Sequence, residues 1–162
     1  MSVAFTREED AEAQAANLPD RPISPHPNLV TPSGLAALDR AVAEARAAYT
    51  AAQAEGGVSA DRTAMARATR DLRYFTARRA SAQLVAAEGP DDRVVFGRRV
   101  TLDREDGRRQ VFRIVGEDEA DPAKGAISYV SPIARAVLGR AVGDAVQVMG
   151  AEVEIVAVER VD

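Results

Sequence analysis

The sequence predicts an α+β protein in two modules: an N-terminal antiparallel α-helical coiled-coil hairpin, then a small, mostly antiparallel β-sheet module with one short helix. Three observations predict it. Apolar residues recur at spacings of three and four over much of residues 30–88, and in short alternating runs from residue 94 onward. Glycine and proline punctuate the chain at Gly56-Gly57 and at Glu88-Gly89-Pro90, the second where the period changes. Aromatic residues make up only 4% of the chain, with no tryptophan, which suits two lean aliphatic modules better than one large core.

Residues 1–29 read as a tail. They carry Glu8, Glu9, Asp10, Glu12 and Asp20, then Pro19, Pro22, Pro25 and Pro27, with little to bury. A free arm is the expectation from composition. Residues 30–88 form the hairpin. Thr31 is placed to cap a first helix with Pro32 at its first position, and Leu35, Leu38, Val42, Ala45, Tyr49 and Ala52 draw one seam along it to Glu55. Gly56-Gly57 ends that helix. Ser59 offers the cap of a second, with Met65, Ala68, Leu72, Phe75 and Ala82 on its seam and Arg79 falling on the same seam. Neither stripe can be buried alone, so the two helices are expected to pair. At 1.5 Å per residue the arms are about 35–40 Å long.

Residues 89–162 hold the sheet. Val94-Val95-Phe96, Arg98-Val100-Leu102, Val111-Arg113-Val115, Ile127-Tyr129, Val146-Val148 and Val153-Ile155-Ala157 read as strands, with turns at Glu105-Asp106-Gly107 and Met149-Gly150. One helix interrupts them, capped by Ser131, opened by Pro132, running Ile133 to Leu138 and stopped by Gly139.

The composition excludes several chemistries. There are 162 residues, no cysteine, and 21 Lys+Arg against 25 Asp+Glu, a net charge of −4. Without cysteine there is no thiolate nucleophile and no Cys-ligated metal. The single histidine, His26, lies between two prolines and has no partner for a triad or a multi-histidine site. No stretch approaches the roughly 18 apolar residues of a membrane span. A soluble cytoplasmic protein without cofactor or bound metal is expected.

The run Ile127-Ser-Tyr-Val-Ser-Pro-Ile-Ala-Arg-Ala-Val-Leu-Gly-Arg140, followed by Gly143-Asp144, closely resembles the C-terminal signature of the bacterial transcription factors GreA and GreB. The preceding Arg113-Ile-Val-Gly-Glu-Asp-Glu-Ala-Asp121 is similar to their acidic loop. The resemblance is specific over roughly residues 92–158 and architectural over 30–88. It implies an FKBP-like C-terminal domain that docks on the rim of the RNA polymerase secondary channel, with the hairpin directed toward the active site. Ser131, Pro132 and Tyr129, with the acidic Asp118, Glu119 and Asp121, are then the polymerase-contact candidates. Asp118, Glu119 and Asp121 lack the ligand spacing of a calcium loop.

In cleavage-competent relatives the hairpin tip carries acids that hold a magnesium ion. The family's tip, approximately Gly-Asp-Leu-Ser-Glu-Asn-Ala-Glu-Tyr, faces Gly56-Gly57-Val58-Ser59-Ala60-Asp61-Arg62-Thr63-Ala64 here, so the acids fall on Gly57 and Ala60. Glu55 and Asp61 are displaced, and Arg62 adjoins Asp61. The resemblance therefore implies a non-cleaving, monomeric, non-enzymatic member that modulates polymerase. Arg62, Arg67 and Arg70 on the second helix are candidates for nucleic-acid proximity within the polymerase complex only, although a solvated face is the plainer reading of such arginines. Two other readings compete: a peptidyl-prolyl isomerase, which needs an aromatic-lined pocket that Phe96, Phe112 and Tyr129 would have to form, and a coiled-coil adaptor for another partner.

Overall fold

The structure is a computed structural model that describes residues 18–55 and 62–161. The chain divides into two compact units.

The helical unit contains Ala36–Ser81 and the segment that ends at Pro27. Helix α1 runs Pro32–Ala54 and α2 runs Arg62–Ser81. α1 stops one residue before the expected Glu55, whose N–H still bonds Ala51 O at 3.2 Å. Gly56, Gly57 and Asp61 lie outside the described residues, as does the turn they were expected to form. The helices are antiparallel: Asp39 near the start of α1 accepts from Arg79 Nε near the end of α2 at 2.5 Å. Ala41, Ala45 and Ala48 line one small cavity together with Ala68 and Phe75. This core is thin, with Leu38, Ala45 and Ala68 its fully buried apolar residues among those described. The arginine that α2 buries is Arg78, not Arg79; Arg79 is half-exposed and paired with Asp39.

The sheet unit contains Asn28–Leu35 and Ala82–Asp162. Its first element, β1 (Leu29–Val30), was expected at the edge of the tail; instead it pairs in parallel with β2 (Gln83–Leu84), and Val30 is buried. The first turn of α1 belongs to this unit. Thr31 Oγ1 accepts from Gly34 N at 3.0 Å, the expected cap.

The main sheet has five strands in the order β5-β4-β3-β7-β6, with β3 Arg99–Arg104, β4 Arg109–Val115, β5 Ala126–Ser128, β6 Ala145–Val148 and β7 Ala151–Glu159. Every pair is antiparallel as expected except β4 and β5, which run parallel. Period-two alternation puts Val100, Leu102, Ile114, Val146, Val148, Val153 and Ile155 on one face, where they pack with Ala134 and Val137 of the short helix α3 (Pro132–Val137). Val94 and Phe96 join this core from an extended loop rather than from the expected strand, held by Val94 N to Arg140 O at 2.8 Å.

That loop is fixed by a buried cation. Arg98 is 0% exposed, and its guanidinium donates to the carbonyls of Pro90, Arg93 (2.9 Å), Gly89 (2.8 Å) and Ala87 (3.2 Å). Four carbonyl dipoles stand in for a carboxylate counter-ion, which is how a fixed charge is tolerated out of water.

Candidate functional site

The parallel pairing of β4 and β5 decides what the site contains. Parallel strands share their C-terminal end, so the acidic stretch after Val115 and the signature loop after Ser128 emerge side by side. Val115 stands opposite Ser128 in register, and Tyr129 N bonds Val115 O at 2.9 Å. The structure thereby brings together two motifs that are separate in sequence.

The signature loop is built by local capping. Ser131 is the N-cap of α3 and its side chain accepts from Ala134 N at 3.4 Å; Pro132 follows at the first helical position. Val130 N bonds Ser128 Oγ and Ser131 N bonds Ser128 O, closing the turn before the helix. Ala134 and Val137 are fully buried, whereas Pro132 and Arg135 are exposed. Beyond α3, Gly139 takes φ +81° and its N–H bonds Val94 O, while Asp144 Oδ2 accepts from Ala141 N. Most of the signature is thus explained by folding, and its outward remainder is Pro132, Arg135, Arg140 and the partly exposed Tyr129. Tyr129 meets Phe96 edge to face, ring centroids 5.9 Å apart.

The three acidic candidates separate. Asp118 is exposed at the shared strand end. Glu119 turns toward the start of α1, where its carboxylate accepts from Thr31 Oγ1 at 2.5 Å and Ser33 Oγ at 2.6 Å, with Arg113 Nη1 4.0 Å away. A carboxylate beside the first turn of a helix suits its dipole. Asp121 sits at the other end of β5, bridged to Ala126 and 3.8 Å from Lys124 Nζ. The sequence missed Glu119's inward role because Thr31 and Ser33 are 88 and 86 residues away.

In the helical unit, Arg62 and Arg67 are exposed on α2, and Arg70 is partly buried with its Nε 3.7 Å from Asp71 Oδ1. Glu55 is exposed. No group of three His, Asp or Glu able to hold a metal occurs among the described residues, and none of their helices is long and apolar enough to cross a membrane. A cavity of about 260 Å³ in the sheet unit is lined by Thr31, Pro32, Val85, Gly97, Arg113 and Arg160 among others, and by no aromatic ring.

A paired-helix unit and a five-stranded sheet, carrying a capped Ser-Pro loop beside an acidic loop, define an α+β protein of two units. The sequence profile described as "Transcription elongation factor, GreA/GreB, C-term" matches residues 89–160. GreB of Yersinia pestis is 35% identical over 136 residues, covering 75% of this chain and 80% of that protein. The chain belongs to the GreA/GreB family. GreA of Desulfovibrio desulfuricans is 39% identical over 94 residues, 57% of this chain and 58% of that one. GreA of Anaeromyxobacter sp. is 52% identical over 71 residues, 43% of each. Against these two GreA proteins the match spans about half of their length. The crystal structure of GreA factor homolog 1 from Thermus thermophilus aligns with a TM-score of 0.40 at 21% identity, covering 83% of this chain and 99% of that one.

Proposed function

We propose that this protein binds bacterial RNA polymerase at the rim of the secondary channel and modulates elongation without stimulating transcript cleavage. The observation that supports the binding half is the parallel pairing of β4 and β5, which brings the acidic stretch after Val115 beside the signature loop after Ser128; Pro132, Arg135 and Asp118 are exposed there and Tyr129 partly so. An exposed proline at the first turn of a helix keeps the loop rigid, so little conformational freedom is lost when a partner docks. Asp118 adds a charge suited to a basic partner surface, and Arg135 one suited to an acidic surface.

The second half rests on the tip. Hydrolysis assisted by a hard divalent cation needs oxygen ligands from the factor to complete a site in the polymerase. Gly57 and Ala60 have none to give, and Arg62 next to Asp61 competes electrostatically with a cation.

Polymerase pull-down by the full chain tests the first half, with Pro132→Ala expected to weaken capture about tenfold at unchanged thermal stability. Capture unaffected by that change would remove Pro132 from the interface. A cleavage assay on backtracked complexes tests the second half. No RNA shortening above the polymerase's own rate is expected; robust shortening that Asp61→Ala abolishes would overturn the non-cleaving reading.

A further inference from the structure

We propose that residues 18–27 form a strap on α2 that screens its arginine face from polyanions, so that this face meets a nucleic-acid backbone only when the strap is displaced. Composition alone suggests a free arm here, yet the segment is held at specific points. Arg21 is the anchor. Its guanidinium lies 3.8 Å from the centroid of the Tyr74 ring and 5.1 Å from that of Phe75, and its Nη1 is 3.5 Å from Asp71 Oδ1. One residue earlier, Asp20 accepts from Arg73 Nη1 at 3.3 Å. Leu18 and Asp20 also wall a groove of about 340 Å³ whose other side includes Arg62, Arg70 and Arg73.

The charges explain why this contact screens. Between residues 60 and 87, α2 and its flanks carry Arg62, Arg67, Arg70, Arg73, Arg78 and Arg79 against Asp61 and Asp71. Of these, Arg62, Arg67 and Arg73 are exposed, Arg70 and Arg79 partly so, and Arg78 is buried; exposed arginines attract phosphate backbones through counter-ion release. The strap neutralises Arg73 and covers the groove in which Arg70 Nε is buried without a hydrogen-bond partner. Its own contacts are solvent-exposed or half-exposed, with side-chain exposure of 68% and 64% for Arg73 and Asp20. Such contacts are individually weak, so a strand that engages several arginines at once displaces them.

The proposal deepens the reading of the α2 arginines as nucleic-acid-proximal, but its test contains no polymerase. A chain that fails to bind polymerase leaves it standing, and its own failure leaves the polymerase reading standing. The measurement is fluorescence anisotropy of a labelled 20-nucleotide oligo(U) titrated with the full chain and with D20A/R21A at several salt concentrations. The double change leaves net charge unaltered, so a gain isolates screening from bulk charge. We expect binding about tenfold tighter at low salt. The log–log salt slope should steepen by about 1.4, since the released Arg70 and Arg73 each add roughly 0.7 for single strands. Adding R70A and R73A to D20A/R21A is expected to return affinity to that of the full chain. Binding no tighter than the full chain's overturns the proposal. Should the double variant lose helical circular dichroism, Asp20→Ala alone, which keeps the Arg21 anchor, is expected to bind about threefold tighter; no gain there is equally fatal.

Discussion

Gly116, between β4 and the acidic loop, has no room for a side chain: a Cβ would lie 2.1 Å from Leu29 O. The glycine is a packing requirement, because it lets β1 press against the loop whose Glu119 accepts from the Thr31 and Ser33 hydroxyls. Gly116→Ala is expected to lower stability by about 1–3 kcal/mol, as overpacking does, and to loosen β1; thermal denaturation with amide exchange at Val30 checks both. A pH effect belongs to the β3–β4 turn. The hydrogen bond from Arg109 holds the Asp103 carboxyl below its ordinary value of 3.8, and Asp106 is held low chiefly by the Arg108 backbone N–H and then by its side chain. A carboxyl depressed in the folded state contributes stability that is present above its unfolded value and lost as pH falls through its folded one. Acid denaturation profiles should therefore show Asp103→Asn less stable than the parent above about pH 4, with the difference closing below that. Both aspartates lie at the solvent surface, with side-chain exposure of 37% for Asp103 and 50% for Asp106, so the effect is small and shrinks with salt.

At the scale of elements, most of what forms locally was legible in the sequence. The Thr31 and Ser131 caps, the prolines that follow them, the turns at Gly107 and Met149-Gly150, and the period of each helix and most strands depend on neighbours a few residues away. The β6–β7 turn shows the same local logic with one imperfect residue. Met149 adopts φ +52° and is 87% exposed, so it bears left-handed strain without burial to offset it. Met149→Asn, which creates the Asn-Gly dipeptide such turns favour, is expected to raise stability by about 1 kcal/mol in urea denaturation. Non-local contacts decide what the local pattern leaves open. Val94 and Phe96 are core residues without a strand because Val94 hydrogen-bonds the chain after α3, where a ladder would otherwise form. Arg78 displaces Arg79 as the buried arginine because Asp39 of α1 claims Arg79. The mostly antiparallel sheet has its one parallel pair at β5, whose partner β4 ends beside it rather than turning back into it.

At the scale of the whole molecule, the two units differ in how much they bury. Twelve fully buried residues form the sheet unit's apolar core, against Leu38, Ala45 and Ala68 among the described residues of the helical unit. At about 1.5–3 kcal/mol per large buried aliphatic side chain, the first core is much the stronger. Hydrogen–deuterium exchange should therefore reach residues 36–54 and 62–81 well before β3 and β7. The strap accords with this imbalance, since Arg21 adds cover to Tyr74 and Phe75 on a helix of the unit with the thinner core. By itself the sequence determined the α+β class, the change of period, the helix caps and the family signature, all of which are written in side-chain types at short spacings. Only the tertiary structure decided that the acidic and signature loops leave the sheet together, that Glu119 faces inward, that Gly116 must stay bare, that Arg98 is held by carbonyls, and that Arg21 clamps α2. Those contacts join residues dozens of positions apart or use backbone oxygens that every residue carries, so no local pattern encodes them.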